Sequence, residues 1–173
     1  MTVTGKPRRP FLNPWRIFGW GLVATLLSLP AILRFPWTPG DFIAMGIMLG
    51  TVGLAIEFLV RRSGNAFVRL GAVVGVVTCF LTIWVNLAVG MIGNEDDAYN
   101  QLFLIPILVF IGGAFVTRFR PSGMTIVMLI AAAVQFGLAL GGIGIDPLGA
   151  RFTMVFALFW LFGGALFRAG AKR

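Results

Sequence analysis

Gly90-Met91-Ile92-Gly93-Asn94-Glu95-Asp96-Asp97-Ala98-Tyr99-Asn100 lies between two long apolar runs and holds three of the six acidic residues of the chain. Upstream, residues 67–92 are almost wholly apolar, and downstream the apolar character resumes from Gln101 to Thr117. Runs of about twenty such residues are the signature of helices that cross a bilayer, so the acidic stretch reads as a loop between two spans. The same pattern extends outward. Spans are predicted over 14–33, 41–60, 67–92, 101–117 (kinked at Pro106), 124–142 and 151–167. Turn-forming or charged stretches separate them: Arg34–Gly40, Arg61–Asn65, Arg118–Gly123 and Gly144–Gly149.

Composition agrees. The 173 residues are 58% hydrophobic and 12% charged, against roughly a quarter charged in soluble domains, and mean hydropathy is +0.95. The expected architecture is all-α, a six-transmembrane-helix bundle forming a single domain over 14–168. A basic, disordered cytoplasmic tail over 1–13 precedes it, and a short basic tail over 169–173 follows. The first apolar run is long enough to span and lacks a small-residue cleavage pattern, so it is not a cleavable signal.

The charges set an orientation. With the N-terminus inside, the inner segments hold Lys6, Arg8, Arg9, Arg16, Arg61, Arg62, Arg69, Arg118, Arg120, Arg168, Lys172 and Arg173, leaving only Arg34 and Arg151 outside. Asp41, Glu95, Asp96, Asp97 and Asp146 fall outside. This is the positive-inside distribution, and it places both termini in the cytoplasm. It also accounts for the net charge of +8 without nucleic acid, because the aromatics lie within apolar runs rather than among lysines.

Several chemistries are excluded. With no histidine there is no imidazole ligand or proton relay, and one cysteine, Cys79, allows no intrachain disulfide. No nucleophile has a base nearby, and no glycine-rich phosphate loop is present. The chain is not expected to be an enzyme or to need a cofactor.

The candidate polar site is outward-facing: Asn86, Asn94, Glu95, Asp96, Asp97 and Asn100. Their side-chain oxygens suit a divalent cation such as Ca²⁺ or Mg²⁺. A solvated loop and helix capping are the plainer alternatives. Asn86, about two turns inward, would share a vestibule with the loop. Glu57 and Gln135 are candidate intramembrane polar residues. Glu57 stands four residues before Arg61, the favourable order for a helix pair, and Gln135 should bond across helices. Gly46 with Gly50, Gly71 with Gly75 and Gly137 with Gly141 predict close helix crossings.

The run Trp84-Val85-Asn86-Leu87-Ala88-Val89-Gly90-Met91-Ile92-Gly93-Asn94-Glu95-Asp96, followed by Asn100, resembles the W-x-N-x-A-V-G-x-I-G-x-E-D signature of an uncharacterised family of small multi-pass bacterial inner-membrane proteins. Gly40-Asp41-Phe42, Glu57 with Arg61–Asn65, and Arg118-Phe119-Arg120-Pro121 with Gln135 are similar too. Asp97-Ala98 stands where the family pattern has Asn-Pro. The resemblance implies an inner-membrane location and a role for the motif's polar residues, but no known activity. Two functional readings follow: a small-solute or ion transporter (or a subunit of one) using the acidic site, or a non-catalytic accessory subunit of a larger membrane complex. Association as a homo-oligomer is compatible with either.

Overall fold

A computed structural model of the chain describes residues 14–172. The expected tail over 1–13 and Arg173 lie outside the described residues. Six α-helices follow in order: α1 (Pro14–Ile32), α2 (Pro39–Arg62), α3 (Ala66–Ala88), α4 (Leu104–Val116), α5 (Pro121–Gly141) and α6 (Pro147–Ala171). Turns of 3-10 helix cover Ala98–Phe103 and Gly142–Gly144, and no strand occurs among the described residues. Five helical stretches are long and apolar enough to cross a membrane: α2, α3, Ala98–Val116, Pro121–Gly144 and α6. The apolar part of α1, Arg16–Ile32, is shorter. Contacts group the chain into two compact units, divided along the sequence within α2 between Leu54 and Ala55.

In the first unit, α2 is started by a reciprocal cap. Asp41 accepts from the backbone N–H and hydroxyl of Thr38 at 2.7 and 2.9 Å, while Pro39, which has no N–H to satisfy, takes the first helical position.

The second unit carries the polar features. Its centre is the antiparallel α5–α6 pair, against which α3 packs through α6 and α4 through α5. Asn65 caps α3 by accepting from the N–H groups of Phe67 and Val68. The predicted Glu57–Arg61 pair forms, at 2.5 Å, with the arginine largely exposed, so it contributes at most a few tenths of a kcal/mol.

The helix ends depart from expectation for identifiable reasons. Pro106 lies in the first turn of α4, where its missing N–H has no intrahelical partner to lose, so it starts a helix instead of kinking one. Pro121 and Pro147 likewise take first-turn positions, and α5 and α6 begin three and four residues earlier than the apolar periodicity suggests. The difference that shapes the site is in α3, which stops at Ala88 rather than Ile92. Gly90 then adopts φ +77°, a left-handed conformation that favours glycine, and turns the chain back over the helix ends.

Of the three glycine pairs, Gly71 and Gly75 support close packing. A side chain at Gly71 would meet the ring of Phe167, and one at Gly75 the ring of Phe110. Gly50 and Gly137 face open space.

Candidate functional site: a clamped polar cap

Beyond Gly90, the next two residues turn inward. Met91 and Ile92 are fully buried, in one cluster with Phe103, Ala150 and Phe156 and against Leu81, Val85 and Leu138. A loop that buries two apolar side chains also buries their peptide groups, which must find partners. Asn100 supplies them. Its Oδ1 accepts from the N–H groups of Met91 and Ile92, both at 2.9 Å. Its Nδ2 donates to the carbonyl oxygens of Ile92 and Asn94 at 3.0 and 2.6 Å. One buried amide thus replaces the ladder that the chain gave up when α3 ended.

Other side chains brace this cap from three directions. Asn86, in the last turn of α3, donates to the carbonyl of Asn100 at 3.2 Å. Tyr99 donates its hydroxyl proton to the Leu138 carbonyl on α5 at 2.8 Å. Thr153 on α6 donates to the Met91 carbonyl at 3.1 Å. Asp146 caps α6, with Oδ1 accepting from Leu148 and Gly149, and its Oδ2 reaches across to the N–H of Gly93 at 3.2 Å. Gly142 and Gly149 leave the room this docking needs, since side chains there would strike Ile92 and the Met91 carbonyl.

The six residues expected to form one polar site therefore divide. Asn86 and Asn100 hold the cap together, and Asn86 is one turn from Gly90 rather than two turns inside a vestibule. Asn94 Oδ1 accepts from the Asp96 N–H, and Asp97 Oδ1 from that of Tyr99, so both oxygens are engaged in local turns. Glu95 and Asp96 are exposed. Among the described residues no three His, Cys, Asp or Glu side chains gather as metal ligands. A cleft of about 300 Å³ opens elsewhere, at the α4–α5 turn, lined by Thr117, Arg118, Arg120 and Ser122. Glu57 faces Arg61, and Gln135 is buried in α5, so neither joins the acidic loop.

Tyr99, Asp146 and Thr153 are brace residues that the sequence reading left out of the site. For Asp146 a signal existed. Asp-Pro before an apolar run is a helix start with the acid as N-cap.

The Asp146 carboxyl is held below the ordinary carboxylate range, chiefly by the Gly149 N–H, then by that of Gly93, which with Leu148 outweigh a small desolvation cost. A depressed folded value means that ionised Asp146 stabilises the cap above the unfolded pKa of about 3.9, and that this is lost as pH falls through the folded value. The Gly93 amide proton should therefore titrate by NMR with a midpoint below about 3.9. Asp146→Asn should abolish that step. A Gly93 shift indifferent to Asp146 would refute the contact.

The fold and the cap define an all-helical protein with multiple membrane spans, a multi-pass membrane protein. A curated relative agrees: the chain is 33% identical over 101 residues to a UPF0756 membrane protein of Desulforudis audaxviator (strain MP104C). The matched region covers 58% of this chain and 60% of that relative. No family model matches the chain. No solved structure matches it.

Proposed function

We propose that the chain is a non-catalytic protein of the bacterial inner membrane that serves as an accessory subunit of a larger membrane assembly. In this reading it has six spans, with both termini cytoplasmic and the acidic cap outside. The distribution of Lys and Arg between alternate loops supports the orientation. α1 supplies the sixth crossing that returns the C-terminus to the inner side. The absence of histidine and of any nucleophile–base pair in the sequence supports a role without catalysis or a cofactor.

The observation that carries the accessory role is the division of labour within the cap. The Asn100 amide and the Asn86 amide nitrogen are spent on the backbone, while Glu95 and Asp96 stand outward on a braced ledge. Two exposed carboxylates on a braced backbone suit basic groups of a partner at the external face, where a pre-ordered backbone loses little entropy on docking. Purification from native membranes in mild detergent should yield a discrete complex that Glu95→Gln/Asp96→Asn weakens. A lone monomer from cross-linked native membranes would sink the proposal.

A second reading, transport of a small solute or ion, is favoured by one feature, the polar side chains of Gln135 and Trp160 buried in spanning helices. Flux through reconstituted protein, abolished by Gln135→Leu, would establish it in place of the first.

A further inference from the structure

Gln135 on α5 and Trp160 on α6 are both fully buried, and neither the Gln135 amide nitrogen and oxygen nor the Trp160 indole nitrogen has a hydrogen-bond partner. Leaving such groups unpaired in an apolar interior costs about 1–3 kcal/mol each, so their coincidence on two packed helices calls for an explanation.

Helix register brings them together. Gly163 of α6 lies against Met128 of α5 and Val74 of α3, and α6 runs antiparallel to both helices. Three residues back from Gly163 on α6 is Trp160. Seven residues on from Met128 is Gln135, and eight on from Val74 is Thr82, also fully buried. At 1.5 Å of rise per residue, Gln135 and Thr82 share a level about one helical turn from that of Trp160.

Side chains on a helix lean towards its N-terminus. On antiparallel helices, Gln135 leans towards the level of Trp160 and Trp160 leans back towards that of Gln135. Thr82, on the helix parallel to α5, leans the same way as Gln135. Its hydroxyl proton is spent on the Thr78 carbonyl at 2.8 Å, which leaves its oxygen able to accept.

We propose that α3, α5 and α6 enclose a binding site for a water molecule between Gln135, Trp160 and Thr82, in the apolar middle of the second unit. The chemistry selects this guest. The indole N–H and the amide N–H donate to its oxygen, and its own protons go to the Gln135 Oε1 and the Thr82 hydroxyl. Because donors and acceptors are mixed and no charged side chain belongs to the set, a neutral molecule that both donates and accepts fits, and an ion does not. A buried water with two to four polar partners is the usual way such groups are satisfied.

The test is magnetisation transfer from water to side-chain protons, by NMR on the isotopically labelled full chain in lipid nanodiscs. Trp160→Phe identifies its indole signal among the five tryptophans. The expected result is transfer to both the Trp160 indole N–H and the Gln135 amide. Gln135→Met, which keeps the volume and removes the polar partner, should weaken transfer to Trp160 at least threefold. A dry indole and amide in the unaltered protein would overturn the proposal, as would direct bonding of the indole to Gln135 or transfer to Trp160 indifferent to Gln135→Met. Should that variant fail to fold, the measurement on the unaltered protein decides.

Discussion

Asn100→Ala is expected to destabilise the protein by roughly 3 kcal/mol or more, through the backbone groups it strands rather than through its own size. Two N–H groups and two carbonyls of the cap lose their partner at once, and the N–H groups of Met91 and Ile92 belong to fully buried residues. Each unsatisfied buried group costs about 1–3 kcal/mol, and partial opening of the cap to water sets the lower end of the total. Asn100→Asp is a near-isosteric control. It keeps an acceptor for the two N–H groups but turns a carboxylate oxygen towards the carbonyls of Ile92 and Asn94, so it should not restore stability. Glu95→Gln and Asp96→Asn change adjacent charges and should shift stability by no more than about 0.5 kcal/mol. Thermal unfolding followed with a thiol-reactive fluorophore is practical, because Cys79 is the one cysteine of the chain and lies within α3. Equal melting of Asn100→Ala and the unaltered protein would refute the clamp.

Gly90→Ala should be nearly as damaging, by a different route. At φ +77° an L side chain is strained by about 1–2 kcal/mol. The added carbon would also lie 2.5 Å from the Asn94 carbonyl oxygen, 2.6 Å from its carbon and 2.8 Å from the Asn100 Nδ2. Those atoms belong to the clamp, so they cannot yield without breaking it, and the total should exceed about 2 kcal/mol. Gly93→Ala separates strain from contact. Its φ is +72°, but its new neighbour is the Asp97 Oδ2 at 3.1 Å, the carboxylate oxygen that the Tyr99 N–H does not bond. The same melting assay should rank Gly90→Ala well below Gly93→Ala in stability, and equal effects would leave only strain to explain Gly90.

Five of the spans were legible in the sequence because bilayer thickness imposes long apolar runs that periodicity and length detect without tertiary knowledge. The pairing of Glu57 with Arg61 was legible too, since it depends only on spacing along one helix. The end of α3 was not. Met91 and Ile92 continue the apolar run, and what ends the helix is a glycine turn stabilised by Asn100, ten residues past Gly90. That dependence is tertiary. For the same reason the acidic motif read as a single polar site. Asn94, Asp97 and Asn100 have suitable oxygens for ligation, but the same atoms accept from backbone N–H groups, and sequence does not distinguish the uses. Gln135 stood out as a polar residue in a span. Trp160, its counterpart on α6, looked like one more aromatic among apolar neighbours.

The central claim is that the Asn100 clamp makes the motif a structural cap, which presents Glu95 and Asp96 without using them internally. Backbone hydrogen exchange at Met91 and Ile92 tests it most directly. The clamp predicts that these two loop amides are protected to the same degree as the middle of α5 and α6, that Asn100→Ala removes the protection, and that Glu95→Gln/Asp96→Asn leaves it intact. Exchange at Met91 and Ile92 as fast as at the exposed Glu95 and Asp96 in the unaltered protein would contradict it.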